Sequence, residues 1–217
     1  MPEPTTNIVG IIILLAVIGL LPLFVVTMTG FLKIAVVMFL IRNALGTQQT
    51  PPNVVLYAIA LVLTVYVTSP LLSEVYGRVA SQPLQLRSVE DITNVFRTVR
   101  APIQAHLARF TLPSERQFFL SATTHVWPQS ARADVKDDDL IVLLPAFVGS
   151  ELTRAFEIGF LLYLPFLIID LVVTNVLMAL GMIMVSPTLI SVPLKLFLFV
   201  AVNGWSRLLH GLILSYG

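Results

Sequence analysis

The chain has 217 residues, 57% of them hydrophobic and only 12% charged, with a mean hydropathy of +0.91. This composition excludes an ordinary soluble domain and indicates a membrane protein. Thirteen Lys and Arg against 12 Asp and Glu leave a net charge of +1, no footprint for nucleic acid, and zero cysteines exclude disulfides, thiolate metal sites and a cysteine nucleophile.

The opening residues MPEPTTN carry no Lys or Arg, so the basic region of a cleavable signal is missing and a retained N-terminus is expected. An uncharged run follows from Ile8 to Leu32, then Lys33 and further apolar residues to Leu40. That exceeds one span of about 20 residues. Pro22 and Gly30 are the natural kink points, and the pattern predicts a bent helix or two helices. The polar connection from Arg42 to Pro52 offers Thr50 as an N-cap with Pro51 at the first helical position. A second apolar segment runs from Asn53 to Leu72, with Pro70 near its end.

From Ser73 to Ser150 the composition is that of a soluble domain. Ser88-Val89-Glu90-Asp91 fits a capping box, and Ile92, Val95, Phe96, Val99, Ile103, Leu107 and Phe110 recur at helical spacing. An amphipathic helix with a bend at Pro102 is expected. Pro113 to Thr124 reads as a second helix, and Asp137, Asp138 and Asp139 before LIVLL suit the positive end of a third.

The chain is organised around the stretch from Leu144 to Pro187. It opens with Glu151, Arg154 and Glu157, spaced to project from one side of a helix. An apolar run from Ile158 to Leu180 follows, broken by Pro165, Asp170, Thr174 and Asn175 and long enough to cross a bilayer. The turn Gly181-Met182-Ile183-Met184-Val185-Ser186-Pro187 then carries no charge, whereas a turn facing water is normally polar. Burial or a pore lining is expected for it. A fourth apolar segment, Leu189 to Ala201, is interrupted by Lys195, and Asn203, Trp205, Arg207 and His210 mark an interfacial end.

The predicted architecture is all-α: a multi-pass membrane protein with four apolar helical segments in two hairpins around a helical, extracytoplasmic middle domain. Its divisions are 1–72, 73–143 and 144–217. Arg42, Lys33 and Lys195 place the hairpin turns toward the cytoplasm, leaving the N-terminus and middle domain outside.

The chemistry-bearing residues each have two readings. Met182 and Met184 are either packing against a helix or a deformable gate, and residues two apart do not share a helical face. Glu151, Arg154 and Glu157 are either a solvated face or an ion-pair ring between subunits, partly desolvated on assembly. Asp170 inside an apolar helix costs on the order of 2.5–3.5 kcal/mol at a bilayer centre, and it either needs a partner, Lys33 or Lys195, or serves as a proton relay. His106, His125 and His210 lack metal-site spacing, and no phosphate-binding loop or nucleophile elbow is present. Neither an enzyme nor a cofactor is expected. A channel subunit and an ion-coupled secondary transporter using Asp170 with Lys33 or Lys195 remain, the latter calling for inverted repeats.

The blocks MTGFLKIAVVMFLIRNALGTQQTPPN at 28–53, LPAFVGSELTRAFEIGFLLYLPFLIIDLVV at 144–173 and MALGMIMVSPTLISVPLKLFLFV at 178–200 resemble the FliP/SctR family. Its members, such as YscR, HrcR and SpaP, are export-apparatus subunits of type III secretion. The missing leader is closer to the injectisome branch than to the flagellar one. The resemblance implies a pentameric ring, wound with small subunits of the SctS and SctT families and working with an SctU-type switch protein. The ring sits in the bacterial inner membrane, extends to the periplasmic side and passes unfolded proteins. It also implies that Met182, Ile183 and Met184 form the gasket of the closed channel, with Ile183 standing where flagellar relatives tend to have methionine.

Overall fold

The computed structural model describes residues 4–81, 89–132 and 134–217, and among these no strand occurs. Eight α-helices follow in order: α1 Pro4–Met28, α2 Phe31–Ala44, α3 Asn53–Ala80, α4 Val89–Phe110, α5 Pro113–Val126, α6 Leu140–Ala179, α7 Thr188–Ala201 and α8 Gly204–Leu214. The chain is all-helical. Helices α3 and α6 are each long and apolar enough to cross a bilayer, and the count rises to four if the broken pairs α1 with α2 and α7 with α8 are single spans.

Of the two forms open to the first apolar run, the structure takes two helices. The interruption falls at Thr29-Gly30, while Pro22 is carried inside α1. Helix α2 stops where Gly46 takes φ +75°, a left-handed conformation that relieves the end of a helix without a Cβ penalty. The expected Thr50 cap is not the one used. Backbone N–H groups of Val55 and Leu56 donate to the Pro52 carbonyl at 3.0 and 3.3 Å, so α3 starts two residues later than the Pro51 pattern suggests.

Helix α6 is the largest departure from the sequence reading. The segment after the three aspartates is not a separate helix but the first turns of a 40-residue rod, about 60 Å long at 1.5 Å per residue. Nothing between Leu140 and Ala179 supplies a left-handed stop, and Pro145 and Pro165 are carried within the helix.

The residues group into two compact units, Met1–Gly30 with Thr68–Glu151, and Phe31–Val67 with Leu152–Gly217. In the first, Leu107 and Phe110 of α4 and Val142, Leu143, Ala146 and Phe147 of α6 are all buried. Only the C-terminal half of the α4 apolar stripe is covered, since Phe96 is exposed. The capping-box Ser88 and the Ile92 side chain lie outside the described residues. Pro102 sits inside α4 without ending it.

The aspartates do more than meet a helix dipole. The Asp139 carbonyl accepts from Val142 and Leu143 and its carboxylate pairs with Arg100 at 2.7 Å. Asp137 pairs with Arg116, and the Asp138 carbonyl accepts from Gln104 Nε2 at 2.7 Å. The loop is thereby tied to α4 and α5. Ser150 Oγ accepts from the Leu112 amide at 2.8 Å and donates to the Ala146 carbonyl at 2.6 Å, joining the start of α5 to α6.

In the second unit the core is Ile34, Val37, Met38 and Ile41 of α2, Leu56 and Ala60 of α3, and Phe166, Phe199, Leu208 and Leu212 from α6 to α8. Gly159 lets α2 and α6 meet closely, because a Cβ there would lie 2.2 Å from Leu40 Cδ1. Helices α7 and α8 bend by 63° at Asn203, whose φ is +54°, a left-handed position that asparagine tolerates better than most residues.

Candidate pore turn and buried charges

The end of α6 is built to present its turn outward. Gly181 has φ +73°, its amide donates to the Met178 carbonyl at 3.0 Å, and the Met182 amide donates to the Leu177 carbonyl at 2.9 Å. This is a Schellman stop, which satisfies orphan carbonyls and turns the chain abruptly out of the helix. The Val185 amide then donates to the Met182 carbonyl at 3.3 Å, and the Pro187 carbonyl caps α7 by accepting from Ile190 and Ser191 at 3.1 and 2.9 Å.

Between the two helix ends, Met182, Ile183 and Met184 are 42%, 85% and 101% exposed. Of the two settings expected, burial within the chain is therefore not the one found. An uncharged, unpacked apolar tip is unfavourable in water, so its setting is supplied by something outside one chain.

Of the two lysines considered for Asp170, the structure brings Lys195 to it. Lys195 Nζ lies 2.5 Å from Asp170 Oδ2 and donates to the Ala44 carbonyl at 3.0 Å. The lysine side chain is 5% exposed and that of Asp170 is 37% exposed. The cation thus joins α6, α7 and the C-terminal end of α2, where orphan carbonyls carry the negative end of the helix dipole. Lys33 is fully buried, with Nζ 3.4 Å from the centroid of the Tyr216 ring, a cation–π geometry.

The sequence reading missed both Ala44 and Tyr216. Gly46 as a stop signal points to free carbonyls just before it, so Ala44 had a faint local signal. Tyr216, at the far end of the chain from Lys33, had none.

Glu151, Arg154 and Glu157 are graded in burial. Glu151 is fully buried, Arg154 half-buried and Glu157 exposed. A spacing of three falls short of a 3.6-residue turn, so each step rotates by about 60° around the helix. Among the described residues no group of three His, Cys, Asp or Glu side chains could hold a metal ion.

The profile of the FliP family matches residues 14–212. The chain belongs to the FliP family. The match includes the segment between 73 and 140, which the three sequence blocks left out. Among FliP-family relatives, a protein of Sinorhizobium fredii described as a probable translocation protein is 54% identical over 216 residues, covering 100% of this chain and 97% of the relative. The Yop proteins translocation protein R of Yersinia pestis is 46% identical over 209 residues, with 96% of each chain covered. The virulence protein YscR of Salmonella typhimurium is 41% identical over 217 residues, covering 100% of this chain and 99% of the relative.

Proposed function

We propose that this FliP-family chain is a core channel subunit of a type III protein secretion export gate, of the injectisome kind. Copies of the chain, five in the ring we favour, surround an axis in the bacterial inner membrane. The assembly extends to the periplasmic side with small subunits of the SctS and SctT families and an SctU-type switch protein. Unfolded proteins pass along the axis. Met182, Ile183 and Met184 from each copy meet there and seal it, excluding water and ions by an apolar constriction, while unbranched methionine side chains rearrange around a passing chain.

The observation that carries this reading is the turn itself, an uncharged segment whose Met184 side chain is wholly exposed beyond the end of a 40-residue helix. Gly181 and Pro187 terminate the helices on either side of it, so substitution between them leaves α6 and α7 their own stops. Replacing Met182, Ile183 and Met184 together by alanine is expected to leave assembly intact and raise resting ion conductance across the membrane. Normal assembly with unchanged conductance would reduce these residues to packing. A transporter using Asp170 and Lys195 is the alternative, and the second bond of Lys195, to a helix-end carbonyl, favours a structural role for the pair.

A further inference from the structure

An apolar groove of about 510 Å³ lies within the second unit, between α6 and the bent pair α7 and α8, a size in the range of about 300–1,000 Å³ that holds small ligands. Its construction on α8 is regular. Gly204, Leu208 and Leu212, one helical turn apart, are buried and form the floor, while Arg207, Gly211 and Ser215, also spaced at four, are exposed and form the rim. Phe199 completes the floor. Its ring is so close to α8 that a Cβ on Gly204 would lie 2.3 Å from it.

The rim is open because Gly211 has no side chain, and a Cβ placed there would find nothing within 4 Å. Among the described residues Arg207 is the only charged one lining the groove, and no carboxylate pairs with it. The Ser215 hydroxyl is already committed, donating to the Leu212 carbonyl at 2.7 Å. The rest of α8 has the composition of a helix lying at a membrane surface. Trp205 is half-buried and His210 exposed, on a short helix with one apolar and one polar face.

We infer that this groove is a binding site for one anionic phospholipid. The acyl chain lies along the floor of Leu208, Leu212 and Phe199, and the phosphate is held by the Arg207 guanidinium, whose planar donors match phosphate oxygens. Charge complementarity selects the occupant, since a purely apolar protein segment leaves the rim cation unanswered. The inference rests on the membrane setting and not on the gate turn, so either stands if the other fails.

The test uses the purified assembly offered phosphatidylglycerol or phosphatidylcholine in mixed micelles, with bound lipid counted by native mass spectrometry. The unaltered protein should retain phosphatidylglycerol about fivefold over phosphatidylcholine, the size of one basic residue's attraction to an anionic membrane surface. Arg207→Gln should abolish that preference while keeping apolar retention, and Gly211→Leu, filling the open rim, should lose both lipids. No preference in the unaltered protein, or full retention in Gly211→Leu, would overturn the proposal. Gly211→Cys, in a chain with no other cysteine, gives a separate reading. A spin label there should be broadened by nitroxide-bearing phosphatidylglycerol, whereas crosslinking of the thiol to another chain would assign the groove to a protein partner and equally overturn it.

Discussion

Asp170 and Lys195 differ in how far they are shielded, and the difference fixes the direction of a mutational asymmetry. The lysine is 5% exposed and the aspartate 37%, so removing the carboxylate strands a cation away from water, whereas removing the amine leaves a carboxylate that water partly reaches. Asp170→Leu is therefore expected to cost about 3 kcal/mol, and Lys195→Met about 1–2 kcal/mol, which includes loss of the bond to the Ala44 carbonyl. The double substitution should cost much less than the sum of the singles, because a buried pair replaced by apolar groups is often neutral. Reversible unfolding in detergent measures all three. Equal costs for the two singles would contradict the burial argument.

At the scale of elements, the close approach of α2 and α6 depends on Gly159. A leucine there would drive into Leu40, whose Cδ1 already lies 2.2 Å from the position of a Cβ. Gly159→Leu should destabilise the second unit by about 1–3 kcal/mol through overpacking, and Leu40→Ala in the same chain should recover part of the loss. An absence of rescue in a thermal melt would place the strain elsewhere.

In the first unit, His106 packs edge-on against Phe110, with ring centroids 5.1 Å apart, and near Phe147 at 6.4 Å. Burial lowers its pKa from the ordinary value of 6.5, and the charge of Arg109 lowers it further. Above pH 6.5 both folded and unfolded chains hold a neutral imidazole; below it the unfolded chain binds a proton that the folded chain resists. Stability of α4 against α6 should fall as the pH drops through 6.5 and level off below the folded pKa. Hydrogen exchange of α4 amides should report this loss, and His106→Phe should flatten it. An unchanged pH dependence in that variant would assign the effect to another group.

On the scale of the whole molecule, the exposed apolar side chains have the most consequence. Phe197, Val200 and Leu189 of α7 and Phe160 and Leu161 of α6 are all more than 60% exposed, far beyond what a monomer keeps in water. Lipid or neighbouring chains must cover them. Native mass measurement of the extracted complex is expected to return several copies of the chain with smaller partners, whereas a single-copy particle would contradict the ring. Arg154 and Glu157 are the half-buried and exposed members of their cluster, and we propose that this side of the helix meets a neighbouring copy. Arg154→Glu should weaken the ring on native gels through repulsion, and an intact ring would leave the cluster a solvated helix face.

By itself the sequence determined the helical class, the membrane character, the family and the location of the uncharged turn, because each is written in contiguous composition or in local break signals such as Gly30 and Gly181. It also singled out Asp170 as a residue that needs a partner, since the cost of a carboxylate among apolar residues is local. The choice between Lys33 and Lys195 was left to the tertiary structure, as were the Tyr216 ring over Lys33 and the Ala44 carbonyl beneath Lys195, because these contacts join residues far apart along the chain. The continuity of α6 through Glu151 was likewise not legible, because a change in composition looks like a boundary while only a backbone stop makes one. Burial graded from Glu151 to Glu157 belongs to the same class: spacing states which side of a helix a residue takes, and what lies against that side is decided by packing alone.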